Sequence, residues 1–419
     1  MDVRLTSAHA GFRPVPRTGV IYVMAEAERH GWVADHPDWV NLGQGAPEIG
    51  PLPGAPPRIE SVAIDPTHHE YAPVGGTGDL RDAVAHLYNQ RYRVGKRSQY
   101  TRENVSISAG GRLALTRIAS TLGRTHVGHF LPDYTAYEEL LGTFATFVPI
   151  PILLEPERRY AFSADLLEAE ILGRGLGAVL LSNPCNPTGK LIAGAQLGEW
   201  VGKARSLGCT LILDEFYSHY VYVGDATTVS AAAHVDDVDA DPVLIVDGLT
   251  KNFRYPGWRV AWTVGPRDII AGITSAGSFL DGGCPHPLQR AAMPLLDPAA
   301  ADAEARAIQA AFRAKRNVML DGLEALGIRV DPPPQGGFYC WGDLSRLPEP
   351  LRTGMGFFRA ALDHRVIVVP GEFFDINPGR RRAERPSRFR SYARFSFGPS
   401  MESVRLAMRR LEELVRGHA

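Results

Sequence analysis

The stretch Ala178-Val179-Leu180-Leu181-Ser182-Asn183-Pro184-Cys185-Asn186-Pro187-Thr188-Gly189-Lys190 joins a short apolar run to an irregular turn. Ala178 to Leu181 has no polar face and predicts a strand buried on both sides. Asn183-Pro184 and Asn186-Pro187 then disfavour helix and force a bend that carries side-chain amides. A helical pattern follows over Leu197 to Leu207, and two further buried runs follow that, Thr210 to Leu213 and Val243 to Val246. Working outward, Asp79 to Tyr92, Leu113 to Leu122 and Leu166 to Leu172 read as helices, and Val105 to Ser108, Val127 to Leu131 and Val260 to Val264 as strands. Short apolar runs alternating with helices of 10 to 15 residues are the signature of βαβ units on a mainly parallel sheet covered on both faces. The expected fold class is therefore α/β.

The rhythm changes after about residue 295. Ala303 to Leu326 predicts one long helix, Gly337 to Gly342 an extended aromatic run, Phe357 to His364 a helix, and Val366 to Val369 a strand. We read 51–294 as a large domain and 295–419 as a smaller α+β domain. Residues 1–50 form an arm and part of that smaller domain, because the Pro- and Gly-rich residues 35–57 interrupt the helix expected over Val20 to His30.

Composition narrows the function. With 419 residues, 45% hydrophobic and 22% charged, the chain can bury a core, and its formal net charge of -1 gives no field for nucleic acid or an anionic membrane. Small-molecule chemistry is expected. Only five lysines are present, Lys96, Lys190, Lys203, Lys251 and Lys315, so an amine nucleophile has few candidates. Cys185, Cys209, Cys284 and Cys340 are far apart and form neither a zinc pattern nor a disulfide framework. Asp2, Arg4, Gly11, Pro14 and Pro16 leave no apolar leader, so the expected location is the cytoplasm.

Two motifs are set aside. Gly173, Gly175 and Gly177 precede a strand, whereas a dinucleotide fingerprint follows one, and His126 and His129 fall in an extended run, where a spacing of three puts them on opposite faces. No metal site is expected. Three other places carry chemistry. Gly110-Gly111-Arg112 open a helix directly after a strand, where bare amides and the helix dipole attract an anion. Asp214 ends a buried run with Tyr217 three residues on, and a carboxylate so placed calls for a bound cation. Asp247-Gly248-Leu249-Thr250-Lys251 ends another, with Arg254 and Arg259 beyond, and a lysine desolvated among cations has a lowered pKa that frees its amine.

In that order, Asn186-Pro187-Thr188-Gly189, Asp214 with Tyr217, and Lys251 with Arg259 eight residues later resemble the fold-type-I pyridoxal-phosphate enzymes, specifically the class I/II aminotransferases of the aspartate aminotransferase superfamily. The resemblance extends from Asn41-Leu42-Gly43-Gln44-Gly45-Ala46-Pro47, through Tyr71 and Gly78 to Arg81, to Tyr392-Ala393-Arg394-Phe395-Ser396-Phe397-Gly398. It implies a seven-stranded sheet in the large domain, pyridoxal 5'-phosphate as cofactor and a homodimer with shared sites. Lys251 would hold the cofactor as a Schiff base and move the substrate α-proton, and Asp214 would pair with the pyridine nitrogen. Tyr217 and Asn186 would bond the ring hydroxyl, and Tyr134 would stack on the ring. Gly110, Gly111, Arg112, Arg259 and Tyr71 of a second subunit would hold the phosphate. Arg394, helped by Asn186 and the backbone near Gly45, would take the substrate carboxylate.

The expected reaction moves an amino group between an L-amino acid and a 2-oxo acid. A carbon–sulfur lyase or an oxygen-using amino-acid oxidase is the alternative outcome of the same cofactor, and a sensor built on this fold the remote one. Asp281, with Glu48 and Glu372 behind it, is the candidate receiver for a cationic side chain, which would favour a basic amino acid. Gly248 stands where the family often has a phosphate-binding serine, and the arginine run Arg380 to Arg390 reads as a solvated loop.

Overall fold

The computed structural model describes residues 15, 17–34, 36–383 and 385–418; the N-terminal segment with Asp2, Arg4, Gly11, Pro14 and Pro16 lies outside the described residues. Helix α1 (Gly19–Arg29) precedes the short strand β1 (Val40–Asn41), and α2 (Gly78–Tyr92) leads to β2 (Val105–Ser108), α3 (Gly111–Thr121), β3 (His126–Leu131), α4 (Tyr137–Thr143) and β4 (Val148–Leu153). Next come α5 (Ala164–Arg174), β5 (Leu176–Ser182), α6 (Gly194–Leu207), β6 (Thr210–Asp214), β7 (Val243–Gly248) and β8 (Ala261–Val264). The C-terminal third holds α7 (Arg267–Leu280), α8 (His286–Ala292), α9 (Pro298–Ala325), β9 (Tyr339–Asp343), α10 (Gly354–Asp363), β10 (Val366–Ile367), β11 (Val369–Pro370), β12 (Tyr392–Ser396) and α11 (Met401–Arg416).

The main sheet has seven strands in the order β2-β8-β7-β6-β5-β3-β4. It is parallel except for β8, which runs antiparallel to both neighbours. Every residue of β2, β7 and β8 is buried, so even Ser106, Ser108 and Thr263 lie inside, and the apolar run Val243 to Val246 of β7 shows no polar side because both faces are covered. Strand β4 was not foreseen, because Pro149 and Pro151 interrupt it. It lies at the sheet edge and pairs only with β3, so prolines of one phase lose no ladder bond inside the sheet.

A second, antiparallel sheet has the order β11-β12-β9, and β1 pairs with β10 in parallel, Val40 opposite Val366. The expected single strand over Val366 to Val369 thus divides at Val368 and serves two sheets. Helix α11 closes the chain with Val404, Ala407, Met408, Leu411 and Leu414 buried on one face. The side chains of Ser163 and Asp297 accept the first free amides of α5 and α9, fixing where those helices begin. Among the described residues no helix is long and apolar enough to cross a membrane.

The topology delivers three strand ends to one rim. Strands β5, β6 and β7 are parallel neighbours, and their C-terminal ends carry Ser182, Asp214 and Gly248, the end at which open α/β sheets gather ligands.

Candidate active site

A cavity of about 340 Å³ opens at that rim. Gly45, Gly111, Arg112, Tyr134, Asn186, Asp214, Tyr217, Lys251, Arg259 and Arg394 all line it, although their sequence numbers span most of the chain. Gly110 sits just behind Gly111 as the N-cap of α3. Tyr71 is fully exposed and is not part of the lining.

Asp214 forms the floor. Its Oδ2 accepts from the Tyr137 hydroxyl at 2.8 Å, and burial pushes its carboxyl up to about 6. The energetic conflict is plain: a buried carboxylate whose direct partner is a neutral phenol is stabilised by an added cation. Lys251 lies in the turn after β7, its Nζ donating to the Gly45 carbonyl. Burial, reinforced by the nearby guanidinium groups of Arg394, Arg112 and Arg259, lowers its amine to about 7, while Asp214 works in the opposite direction. Near neutral pH a large fraction of Lys251 is therefore the free nucleophile.

The two ends of the cavity are cationic. At one, the α3 amides of Gly111 and Arg112 are free of helix partners, and Gly110 holds φ +96°, a conformation that suits glycine. A Cβ on Gly110 would run into the Arg259 guanidinium, and one on Gly111 into the ring of Phe216, so both glycines keep this cradle open. Arg259 donates to the Pro256 carbonyl at 3.0 Å and approaches Thr250 Oγ1 at 3.5 Å. Gly248 leaves no room for a serine: a Cβ there would lie 2.6 Å from Ala261 Cα on β8 and from the carbonyl oxygen of Val260 just before it. Thr250 supplies the hydroxyl nearest Arg259 instead.

At the other end, Arg394 is 1% exposed. Its Nη1 donates to Asn186 Oδ1 at 2.9 Å and its Nη2 to the Gly43 carbonyl at 2.5 Å, while its Nε has no acceptor among the described residues. The guanidinium stacks 4.2 Å from the Tyr339 ring centre. Tyr339 also shares a 2.8 Å hydrogen bond with the Tyr217 hydroxyl. Between the two ends, Arg112 donates to the Tyr134 hydroxyl at 3.1 Å.

The sequence reading missed Tyr339 and Tyr137. Tyr137 could have been found from its place one helical turn after Tyr134, whereas Tyr339 had only its position in an aromatic run to mark it. Asp281 requires a correction. It caps α7 and is gripped by the fully buried Arg117, with Nε donating to Oδ2 at 2.9 Å and Nη2 to Oδ1 at 2.5 Å, so its charge is already neutralised and it cannot receive a substrate cation. Glu48 is paired with Lys315, and Glu372 lies outside the cavity lining, so neither takes its place. Arg380, Arg381, Arg385, Arg388 and Arg390 are exposed as expected, but Arg382 binds Asp375 at 2.8 Å and ties the loop down. No group of His, Cys, Asp and Glu suited to a metal occurs among the described residues.

Residues 37–411 match the family model described as aminotransferase class I and II. The chain belongs to that family, whose members use pyridoxal 5'-phosphate to move an amino group between amino acids and 2-oxo acids. It is 29% identical over 408 residues to a valine–pyruvate aminotransferase of Mycobacterium tuberculosis, covering 94% of this chain and 96% of that one. It is 28% identical to an aspartate aminotransferase of Streptomyces avermitilis, over 82% and 84% of the two chains. Among solved structures, an aminotransferase from Mycobacterium tuberculosis superposes with a TM-score of 0.78 at 26% identity, covering 96% of this chain and 97% of that one.

Proposed function

We propose that this cavity binds pyridoxal 5'-phosphate and transaminates an L-amino acid that carries a second anionic group. The observation behind the reading is that Lys251 and Asp214, a desolvated amine and a desolvated carboxyl, share one cavity whose two ends are both cationic. The residues fit the cofactor on their own terms: among the described residues Asp214 has no bonded cation, and the start of α3 presents the Gly111 and Arg112 amides beside Arg259, while the Gly110 amide is already spent on the Ser108 carbonyl at 2.8 Å. When bound, the cofactor supplies an electrophilic aldehyde and an electron-withdrawing pyridinium.

The chain's own residues then have defined work. Asp214 would pair with the ring nitrogen and favour its protonated form, and Lys251 Nζ would be the point of attachment and the base that moves the substrate α-proton. The α3 amides of Gly111 and Arg112, with Arg259, would hold the phosphate; Gly110, whose own amide donates to Ser108, would serve by keeping the approach open. Tyr217 and Asn186 would hydrogen-bond the ring hydroxyl, and Tyr134 would stack on the ring. Arg394 grips the substrate α-carboxylate, its spare Nε–H and stacked plane suiting a two-point contact. The Arg112 side chain, with a single neutral hydrogen-bond partner, remains to meet a second carboxylate. The resemblance to relatives that include aspartate aminotransferases supports that choice.

Tyr71 completes the phosphate end only if a second copy of the chain provides it, so we place the enzyme as a homodimer with shared sites. Four free, buried cysteines favour a reducing, cytoplasmic setting. The test is to load the protein with cofactor and follow its absorption with a panel of amino acids, with and without oxygen. Aspartate or glutamate should convert the cofactor to its amine form without oxygen uptake, and 2-oxo acids should reverse it. Oxygen consumption or net ammonia release overturns transamination, and a faster response to ornithine than to aspartate overturns the anionic side chain.

A further inference from the structure

Behind the cavity wall lies a buried carboxyl to which none of the steps above gives a role. Asp133 is 1% exposed, in the turn between β3 and α4. Its Oδ1 accepts two hydrogen bonds, from the Tyr134 amide at 2.7 Å and from the Ser182 hydroxyl at 2.5 Å. The Ser182 oxygen in turn accepts the Asn186 amide at 3.0 Å, and Asn186 Oδ1 accepts from Arg394 Nη1 at 2.9 Å. One oxygen atom therefore anchors two arms. The short arm sets the backbone of Tyr134 over the cavity; the long arm runs through Ser182 and Asn186 to Arg394.

We propose that Asp133 is a positioning residue that, through the Ser182 hydroxyl, holds the Asn186–Arg394 pair in register with Tyr134, so that the carboxylate site and the stacking wall are set by a single atom. Three features carry this. The chain of bonds is continuous, each link lying at ordinary hydrogen-bond length. Ser182, the last residue of β5, stands opposite Asp214, the last residue of β6, so the relay springs from the rigid sheet rather than from a loop. And within the Asn183–Lys190 turn, closed by the Cys185–Lys190 and Gly189–Cys185 backbone bonds, the Asn186 amide itself is bound by the Ser182 hydroxyl oxygen. A hydroxyl that donates one way and accepts the other transmits orientation with no charge of its own.

The inference rests on the reading of Arg394 as the carboxylate site, and the arms predict separable effects. Removing the hydroxyl with Ser182→Ala cuts only the long arm. KM for the amino-acid substrate and the dissociation constant of 2-oxoglutarate, measured by calorimetry without turnover, should each rise roughly tenfold, the cost of one lost hydrogen bond to a charged site. Cofactor affinity, from equilibrium dialysis of the free chain, should stay within twofold. Asp133→Ala cuts both arms, so both affinities should fall, whereas Asp133→Asn keeps an acceptor at Oδ1 and should restore the wild-type pattern. Unchanged 2-oxoglutarate binding in Ser182→Ala, or an equal loss of cofactor and 2-oxoglutarate affinity there, overturns the relay. If Asp133→Ala does not fold, Ser182→Ala alone decides. A wild-type protein that binds 2-oxoglutarate without turning over amino acids sinks the transaminase reading instead, and the calorimetric comparison still tests the relay.

Discussion

Arg117 and Arg394 are both fully buried guanidinium groups with backbone carbonyls among their partners, yet one is structural and the other faces the cavity. Arg117 is saturated: Asp281 takes Nε and Nη2, and the Ile107 and Val74 carbonyls accept from Nη1 at 2.9 and 3.3 Å. It staples α7 to α3 and β2. Arg394 binds a neutral amide and one carbonyl, with no carboxylate and with Nε unpartnered among the described residues. Burial alone does not mark a ligand-binding charge. An incomplete set of partners beside a cavity does, because the missing counter-charge is what a substrate brings.

Three experiments break or sharpen this contrast. Arg117→Ala leaves Asp281 buried and unpaired, so unfolding stability should drop by about 3 to 5 kcal/mol, read from denaturant midpoints; a loss below about 1 kcal/mol shows that Arg117 is no staple. Arg394→Ala should barely move the unfolding midpoint but lower kcat/KM by about 100-fold to 1000-fold, roughly 3 to 4 kcal/mol of substrate contact. Equal damage to stability and activity in both variants erases the distinction. The smallest effect concerns Lys251. Its amine, lowered to about 7, is mostly protonated below that pH and neutral above it. Cofactor uptake by the free chain should therefore accelerate about tenfold per pH unit up to about 7 and then level off. Arg394 is among the cations that lower this value, so its removal should shift the midpoint upward, whereas Arg117→Ala should leave it in place.

The same contrast explains what could be seen in the sequence. Asp214, Lys251 and the Asn186 turn stood out because each follows a run apolar enough to be recognised as a buried strand, and parallel strands put their C-terminal ends side by side. Gly110 and Gly111 stood out as a glycine pair between the extended Val105 to Ser108 and a helical pattern. The partners of a buried charge have no such local mark. Asp281 looked free because Arg117 lies 164 positions away. Tyr339 meets Tyr217 only when the two sheets come together, and Asp133 meets Ser182 only when β3 and β5 pair. Strand β4 was hidden by two prolines that an edge position tolerates.

The pairing of β1 with β10 also has a temporal side. It brings the Asn41–Ala46 segment, whose Gly43 and Gly45 carbonyls receive Arg394 and Lys251, against residues made more than 300 positions later. During synthesis, then, the nascent chain can assemble β2 to β8 while the carboxylate site still lacks its arginine. Until β12 has emerged, Gly43 has no guanidinium to bind, and a growing polypeptide that captures cofactor early still cannot select its substrate.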